Sequence, residues 1–316
     1  MLTLRTFGAV YVSGADGAPM GGPAAQKRLL ALLAVLAAVG DAGMSRDRLV
    51  ALLWPESEPE RARHALTQTL YHARRALDCD DLFVLSGGDI RLNRSRLASD
   101  VDQFDARIRA GEHEAAMAVH AGDFLDGFFL SSVAEFEQWT SAQRLRLNEA
   151  AVRASDHLGA AAENAHDWAR AIEWRKRMLV LDPLSAVSTT KLMNAMAAAG
   201  DRTGALNQAR VYAALLREQL DLEPDPIVTR LVEHLRSTPP DGEPIVLRER
   251  ASTPEPVHDE PTASPALELH AAPASVRAQP RKRLRIAAVV AAASIALIAA
   301  FSAGRWDFTD SASGVQ

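Results

Sequence analysis

The chain has 316 residues, a formal net charge of -5 and one cysteine, and these values already exclude several classes of protein. Its length exceeds one typical domain, so two domains with additional segments are expected. A single cysteine excludes an intrachain disulfide and a cysteine-rich metal site. Residues 1–97 carry 12 Lys and Arg against 10 Asp and Glu, a formal charge of +2, whereas the rest carries -7. This weakly favours nucleic-acid contact by the N-terminal part, because affinity depends on where charges lie rather than on their total.

Short strands and two helices are predicted at the N-terminus. Alternating apolar residues in 2–12 predict a small antiparallel sheet, followed by a glycine-rich stretch at 14–22. Residues 26–39 are apolar on nearly every side, which is typical of the buried central helix of a small domain. Ser45 is expected to cap a second helix that ends at Leu53.

The third predicted helix, residues 58–77, has two faces of opposite character. Its apolar face contains Ala62, Leu66, Leu70, Ala73 and Leu77. Side chains that can hydrogen-bond to phosphates or to base edges in a DNA major groove are Arg61, Arg63, His64, Thr67, Gln68, Tyr71, His72, Arg74 and Arg75. Ser57 and Glu60 predict a capping box at its start, with Pro59 in the first turn. A basic helix face is more often only a solvated surface, so this helix alone does not decide DNA binding.

A β-hairpin is predicted after the third helix. The apolar runs 82–85 and 90–92 are separated by Gly87-Gly88-Asp89, which is typical of a tight turn. Arg91 lies on the second strand and is a further candidate for contact with DNA. Strands, three helices and a terminal hairpin in this order predict a winged-helix DNA-binding domain over residues 1–97.

Residues 98–237 are predicted to form an all-α array, because amphipathic helical patterns continue throughout with only short turns. Asp167, Trp168 and Ala171 recur as Asp201, Arg202 and Ala205. This offset of 34 residues is the period of helical-hairpin repeats that stack on one another. The predicted fold class is therefore mainly α, with an α+β winged helix followed by a tetratricopeptide-like array.

The sequence of the C-terminal part predicts a flexible linker followed by a membrane anchor. Residues 238–284 are proline-rich with a basic end and lack an apolar period, which is typical of a disordered linker. A transmembrane helix is predicted at 285–304, where the 19 residues from Ile286 to Gly304 carry no charge. A helix of that length reaches about 28 Å, close to the hydrocarbon thickness of a bilayer. Nine of the 19 residues are alanine, so a surface-lying or soluble helix stays an alternative.

The charges beside this segment predict its orientation. Basic residues precede it and Asp307 and Asp310 follow it, so the positive-inside bias leaves the N-terminal domains in the cytoplasm. Residues 305–316 are expected to form a short extracytoplasmic tail, too small for a folded sensor domain.

Four common enzyme motifs are absent from the sequence. The chain lacks a Walker A loop, G-x-G-x-x-G, H-E-x-x-H and G-x-S-x-G. Its histidines are spread over different predicted helices without a ligand-like pair. We therefore expect no enzymatic activity, no cofactor, and no catalytic or metal-binding residues.

Residues 1 to about 237 resemble the Streptomyces antibiotic regulatory protein family of transcriptional activators. The N-terminal segments QKRLLALLAVLAA, DRLVALLWPE and ARHALTQTLYHARRAL, with the hairpin after them, are similar to its OmpR-type winged helix. From Asp100 to Leu235 the chain resembles the family's bacterial transcriptional activator domain, which is tetratricopeptide-like. The resemblance implies promoter DNA as a partner, direct repeats as sites, a homodimer on DNA, and contact with RNA polymerase or a sigma factor. A membrane anchor departs from the family pattern, whose members are usually soluble.

The sequence therefore predicts a membrane-tethered, sequence-specific transcriptional regulator, an activator by resemblance, in the inner (cytoplasmic) membrane. An alternative stays open: a membrane-anchored, tetratricopeptide-like interaction scaffold whose winged helix does not read DNA. The two differ in one structural requirement. A DNA reader needs Arg61, His64, Gln68 and Arg75 to be exposed and aligned with Arg91 of the hairpin, whereas a scaffold tolerates that face being covered by the helical array.

Overall fold

The computed structural model describes residues 1–131 and 133–237. The chain divides into residues 1–243, which contain all of these, and residues 244–316. The strands are β1 (Leu2–Arg5), β2 (Tyr11–Ser13), β3 (Met44–Ser45), β4 (Phe83–Ser86), β5 (Asp89–Leu92) and β6 (Leu97–Ser99). The helices are α1 (Lys27–Val39), α2 (Arg46–Leu53), α3 (Pro59–Ala76), α4 (Asp100–Ala110), α5 (His113–Val119), α6 (Ala134–Asn164), α7 (Trp168–Leu181), α8 (Ala186–Ala198), α9 (Arg202–Leu220) and α10 (Pro226–Ser237). The prediction of a mainly helical chain with a small N-terminal sheet region is confirmed.

The predicted membrane segment lies outside this part of the chain. Of the helices within 1–131 and 133–237, none has both the length and the apolar content that crossing a bilayer requires. The predicted linker at 238–284, the span at 285–304 and the tail at 305–316 are all outside the described residues.

The N-terminal sheet has the strand order β2-β1-β6. The predicted antiparallel pair is present, with Leu4 opposite Val12. The parallel pairing of β6 with β1, which places Leu97 opposite Leu2, was not predicted because three residues show too little alternation to indicate a strand. Since β6 leads directly into α4, this pairing brings the start of the chain beside the start of the helical array.

The first three helices form as their apolar patterns predict. Every residue of α1 from Leu29 to Ala37 is buried, and α2 begins after Ser45, whose Oγ accepts a hydrogen bond from the Arg48 amide at 3.3 Å. The predicted capping box of α3 is wrong. The residue at the N-cap position is Glu58, and it makes no side-chain cap. The Glu60 carboxylate, which a capping box would turn back to the backbone, pairs with Arg63 at 3.1 Å instead.

The predicted hairpin is confirmed. Strands β4 and β5 pair antiparallel, and Gly87 and Gly88 connect them with φ angles of 61° and 92°. Positive φ at both central residues gives a turn whose twist matches that of the strands. Ile90 of β5 is fully buried and also lies opposite Met44 of β3, so the hairpin is attached to the start of α2.

Two helices of the array begin in the same way, 34 residues apart. The Asp167 carboxylate caps α7 by accepting from the Arg170 amide at 3.1 Å, and Asp201 caps α9 by accepting from the Gly204 amide at 2.8 Å. Ala171 and Ala205 are both fully buried. The recurrence seen in the sequence therefore marks the starts of the helix pairs α7–α8 and α9–α10.

Arg175 occupies the interior of the array with a side-chain exposure of 2%. Its guanidinium pairs with Asp156 and with Glu163, the latter through Nε and Oε1 at 2.7 Å. Although burial opposes the shift, hydrogen bonds from Lys191 and Arg175 lower the pKa of the Asp156 carboxyl. A Cβ atom at Gly159 would lie 2.8 Å from the Arg175 Cζ, so a larger residue there would have to displace this buried guanidinium. Sequence reasoning did not single out this cluster.

Asp100 joins the N-terminal sheet to the array. Its carboxylate is 2% exposed and accepts hydrogen bonds from the Thr6 amide at 2.9 Å, the Thr6 hydroxyl at 2.6 Å and the Phe7 amide at 3.1 Å. The loop after α5 also contacts the end of β1, because the Leu125 amide donates to the Thr6 carbonyl at 2.7 Å. One hydrophobic cluster contains Leu4 of the sheet and Phe136 of the array. The two parts therefore share a core.

His120 is buried at this junction, and we predict that it makes the stability of the fold depend on pH. Its ring lies 4.6 Å from the Phe7 ring and 5.4 Å from the Phe104 ring. Burial, and then the nearby Arg177, lower the pKa of His120 to about 4, from 6.5. Above pH 6.5 the imidazole is neutral in both states. Between pH 6.5 and 4 only the unfolded state binds the proton, so the free energy of unfolding should fall by about 3 kcal/mol across that window.

Urea unfolding of the full chain at pH 7 and pH 4.5 tests this expectation. The decrease in the free energy of unfolding between pH 7 and pH 4.5 should be smaller in His120→Gln than in the wild type, because glutamine cannot take up the proton. In the control His72→Gln, at an exposed position of α3, the decrease should equal that of the wild type. Equal losses in both variants would show that His120 titrates normally.

Candidate nucleic-acid interface

The position of α3 is set by its apolar face. Ala62, Leu66, Leu70 and Ala73 are buried, as their spacing predicts, and the helix packs against α1 and α2. Burial of this face turns the opposite side of α3 towards solvent.

The polar face of α3 is exposed. Eight of the predicted DNA-contacting side chains are exposed: Arg61, Arg63, His64, Thr67, Gln68, Tyr71, His72 and Arg75. Tyr71, for example, has 58% of its surface accessible. In the described part of the chain, which includes the array, nothing covers this face. The exposure that a DNA reader requires of Arg61, His64, Gln68 and Arg75 is thus present.

Two polar side chains one turn apart are held together on this face. The His64 Nε2 and Gln68 Nε2 atoms are 3.0 Å apart, within hydrogen-bonding distance. The Thr67 hydroxyl donates to the Arg63 carbonyl at 2.9 Å, so it is satisfied within its own helix. His64 and Gln68 therefore form a pre-arranged polar pair within the first ten residues of α3.

Arg63 is exposed but already paired. Its guanidinium lies 3.1 Å from Glu60 and 3.6 Å from Asp47 of α2. Such exposed pairs are weak, typically below 1 kcal/mol, and a phosphate can replace the carboxylates. The pair with Asp47 also shows that the first turn of α2 lies beside the start of α3.

Arg74 and Arg91 are half-buried rather than part of the exposed face. The Arg74 guanidinium lies 5.8 Å from the centre of the Phe83 ring on the hairpin. The Arg91 stem crosses Gly43, where a Cβ would be 2.6 Å from its Cγ and where φ is 67°, so glycine is required there. Both side chains thus help pack the hairpin, a tertiary role that their positions in the sequence do not reveal.

Sequence reasoning missed Arg46 and Arg48, which flank Asp47 in the first turn of α2 and are exposed. Cations at a helix N-terminus are unfavourable because the positive end of the helix dipole repels them. Two arginines in the first turn of a predicted helix were therefore a sequence signal that could have identified these residues. Their position beside α3 adds two cations to the candidate interface. An anion bound at this helix end would be stabilised by the backbone amides as well.

A family model matches the helical array. Residues 94–236 match the family model of the bacterial transcriptional activator domain. We call these residues the BTAD segment. The match supports the relationship to bacterial transcriptional activators that the sequence from Asp100 to Leu235 implied. Comparison with curated proteins gave no match.

A solved structure has a similar fold. It is Mycobacterium tuberculosis EmbR in complex with a low-affinity phosphopeptide, with a TM-score of 0.53 and 21% identity. The similarity covers 74% of this chain and 65% of that one. The chain thus spans less than two thirds of the EmbR structure, and at this identity the likeness shows the fold alone.

Proposed function

We propose that the chain is a transcriptional regulator in which residues 1–97 are a winged helix that reads promoter DNA through α3. The observation that carries the proposal is the exposed polar face of α3. The BTAD segment packs against the N-terminal sheet through Asp100 and the loop after α5, and it leaves that face free. An α-helix with its side chains is about 10–12 Å wide, which fits the major groove of B-DNA at about 12 Å.

The side chains of the interface divide into two roles in this proposal. Arg61, His64, Thr67 and Gln68 lie within the first ten residues of α3, towards the end that enters the groove in helix-turn-helix proteins, and contact base edges. Arg75 contributes mainly through the phosphate backbone, as do Arg46 and Arg48 beside the start of α3 and whatever part of the half-buried Arg91 side chain reaches solvent. Base contacts discriminate between sequences, whereas phosphate contacts add affinity to all of them.

We predict that Arg46→Ala combined with Arg48→Ala weakens binding to cognate and random DNA by the same factor. Each lost phosphate contact removes about 0.9 from the slope of log affinity against log salt, so the slope should fall by about 1–2. Fluorescence anisotropy at several salt concentrations measures it. Arg210→Ala, an exposed arginine on α9, is the matched control and should leave the slope unchanged. A double variant with the wild-type slope would remove α2 from the interface.

In this proposal the BTAD segment assembles protomers and contacts RNA polymerase or a sigma factor. One winged helix buries a small area and reads few base pairs, so useful specificity calls for two copies on adjacent sites. The family resemblance suggests a homodimer on direct repeats. Titration of a cognate fragment should then show a second, cooperative binding step.

The membrane tether is proposed from the sequence alone. The uncharged segment Ile286–Gly304 would anchor the chain in the cytoplasmic membrane, with the DNA-binding part in the cytoplasm. The preceding linker would span about 35–40 Å as a flexible coil, which holds the folded part clear of the bilayer. Deletion of residues 285–304 should move the protein from the membrane fraction to the soluble fraction.

The experiment that tests the function is recovery of genomic DNA fragments by the full chain, followed by sequencing. We expect enrichment of fragments that share a short motif, and loss of that enrichment in the variant Arg61→Ala with Gln68→Ala. An interaction scaffold that does not read DNA would enrich no motif in either protein.

A further inference from the structure

A cleft of about 430 Å³ lies where the N-terminal part meets the BTAD segment. Residues 37–42, at the end of α1 and the turn after it, form one wall, and side chains of α4 and α6 form the other. Arg94, from the loop after the hairpin, also lines it. The volume is in the range of small-molecule sites, about 300–1,000 Å³.

Charged side chains make up half of the lining. They are Arg94, Arg109, Arg146, Arg153, Asp41, Asp102 and Asp105. Arg94 pairs with Asp41 at 2.7 Å and with Asp102 at 2.5 Å. Arg146 holds Asp105 with two hydrogen bonds of 2.9 and 3.0 Å. These five side chains therefore neutralise one another to a large extent.

The other two arginines keep their hydrogen-bonding capacity. Arg109 donates through Nε to the Asp105 carbonyl at 3.2 Å, and its two Nη groups have no partner within the described residues. The Arg153 Nη1 atom is 3.8 Å from Glu149, beyond hydrogen-bonding distance. Two guanidinium groups with free N–H donors thus line one cleft. Beside them the lining is apolar, with Val39, Ile108 and Ala150.

We infer that this cleft binds a small metabolite that carries a phosphate group, with Arg109 and Arg153 on the phosphate and the apolar part of the metabolite against Ile108 and Ala150. A guanidinium group matches the oxygens of a phosphate with two parallel N–H donors. A phosphate monoester carries a charge of about -1.5 to -2 at neutral pH, enough to engage two arginines, whereas a single carboxylate carries -1. Since the walls come from both parts of the fold, the bound metabolite bridges them.

Isothermal titration of the full chain with adenosine 5′-monophosphate tests the inference, because this probe joins a phosphate dianion to a flat aromatic base whose faces can pack against apolar side chains. We expect saturable binding, and binding of adenosine, which lacks the phosphate, that is at least about tenfold weaker. Arg109→Gln combined with Arg153→Gln should weaken binding of the nucleotide at least about tenfold. The matched control Arg210→Gln should bind as the wild type does. Both cleft arginines are exposed, so the double variant should fold normally.

Three results would overturn the inference. They are the absence of nucleotide binding with a Kd below about 1 mM, equal binding of adenosine and the nucleotide, and unchanged binding in the folded double variant. None of them bears on DNA binding by α3, so the site and the proposed function can fail independently.

Discussion

Replacing Asp100 with alanine is expected to lower the free energy of unfolding by about 3–5 kcal/mol, because it leaves buried donors without an acceptor. The carboxylate accepts from the Thr6 amide, the Thr6 hydroxyl and the Phe7 amide, and it is 2% exposed. A buried donor that loses its acceptor costs about 1–3 kcal/mol, and alanine removes the acceptor of three donors at once.

Urea unfolding of the full chain measures this loss. Asp100→Asn keeps one acceptor oxygen and should lose less stability than the alanine variant. Asp126→Ala is the control, since Asp126 is exposed in the loop after α5 and its removal should change stability by no more than about 0.5 kcal/mol. A loss below about 1 kcal/mol in Asp100→Ala would mean that the sheet and the array are held together by other contacts.

The second large effect is expected on DNA recognition. Arg61→Ala combined with Gln68→Ala should reduce the preference for cognate over random DNA by about 2–6 kcal/mol, since each good base contact discriminates by about 1–3 kcal/mol. Both side chains are exposed and lie within the first ten residues of α3, so the fold should be retained. Competition binding against random DNA at physiological salt gives this preference directly.

Arg75→Ala is the matched control for that experiment. Arg75 is exposed on the same helix but two turns further along, where we expect contact with phosphates. Its removal should weaken cognate and random binding alike and leave their ratio unchanged. If the double variant kept the wild-type ratio, the assignment of the N-terminal half of α3 to the groove would be wrong.

The parts of the fold that sequence reasoning found depend on local patterns. The buried face of α3 follows from apolar residues at helical spacing, and the hairpin follows from Gly87-Gly88 between two apolar runs. The recurrence of Asp167 and Asp201 marks helix starts because the capping hydrogen bond spans only three residues. All the residues that make up each of these signals lie within a short stretch of the chain, so the sequence alone reveals them.

The remaining features depend on residues far apart in the sequence. The sequence around Asp100 indicates only an acidic residue at the start of a helix. Nothing in it indicates that the partner of Asp100 is Thr6, which is 94 residues away. Arg74 and Arg91 carry the same charge as Arg75, yet contacts with Phe83 and Gly43 make them half-buried. The cleft between α1, α4 and α6 exists only once these elements are packed together.

Photo-crosslinking from a benzophenone side chain placed at position 68 tests the central claim most directly. The DNA is the genomic fragment that the full chain enriches most strongly, and the control position is Lys176, which is exposed on α7. We predict a crosslink from position 68 to bases within the shared motif and none from position 176. Crosslinks from position 176 alone, or none from position 68 to any base of a fragment that is bound, would contradict the role of α3 as the reader of DNA.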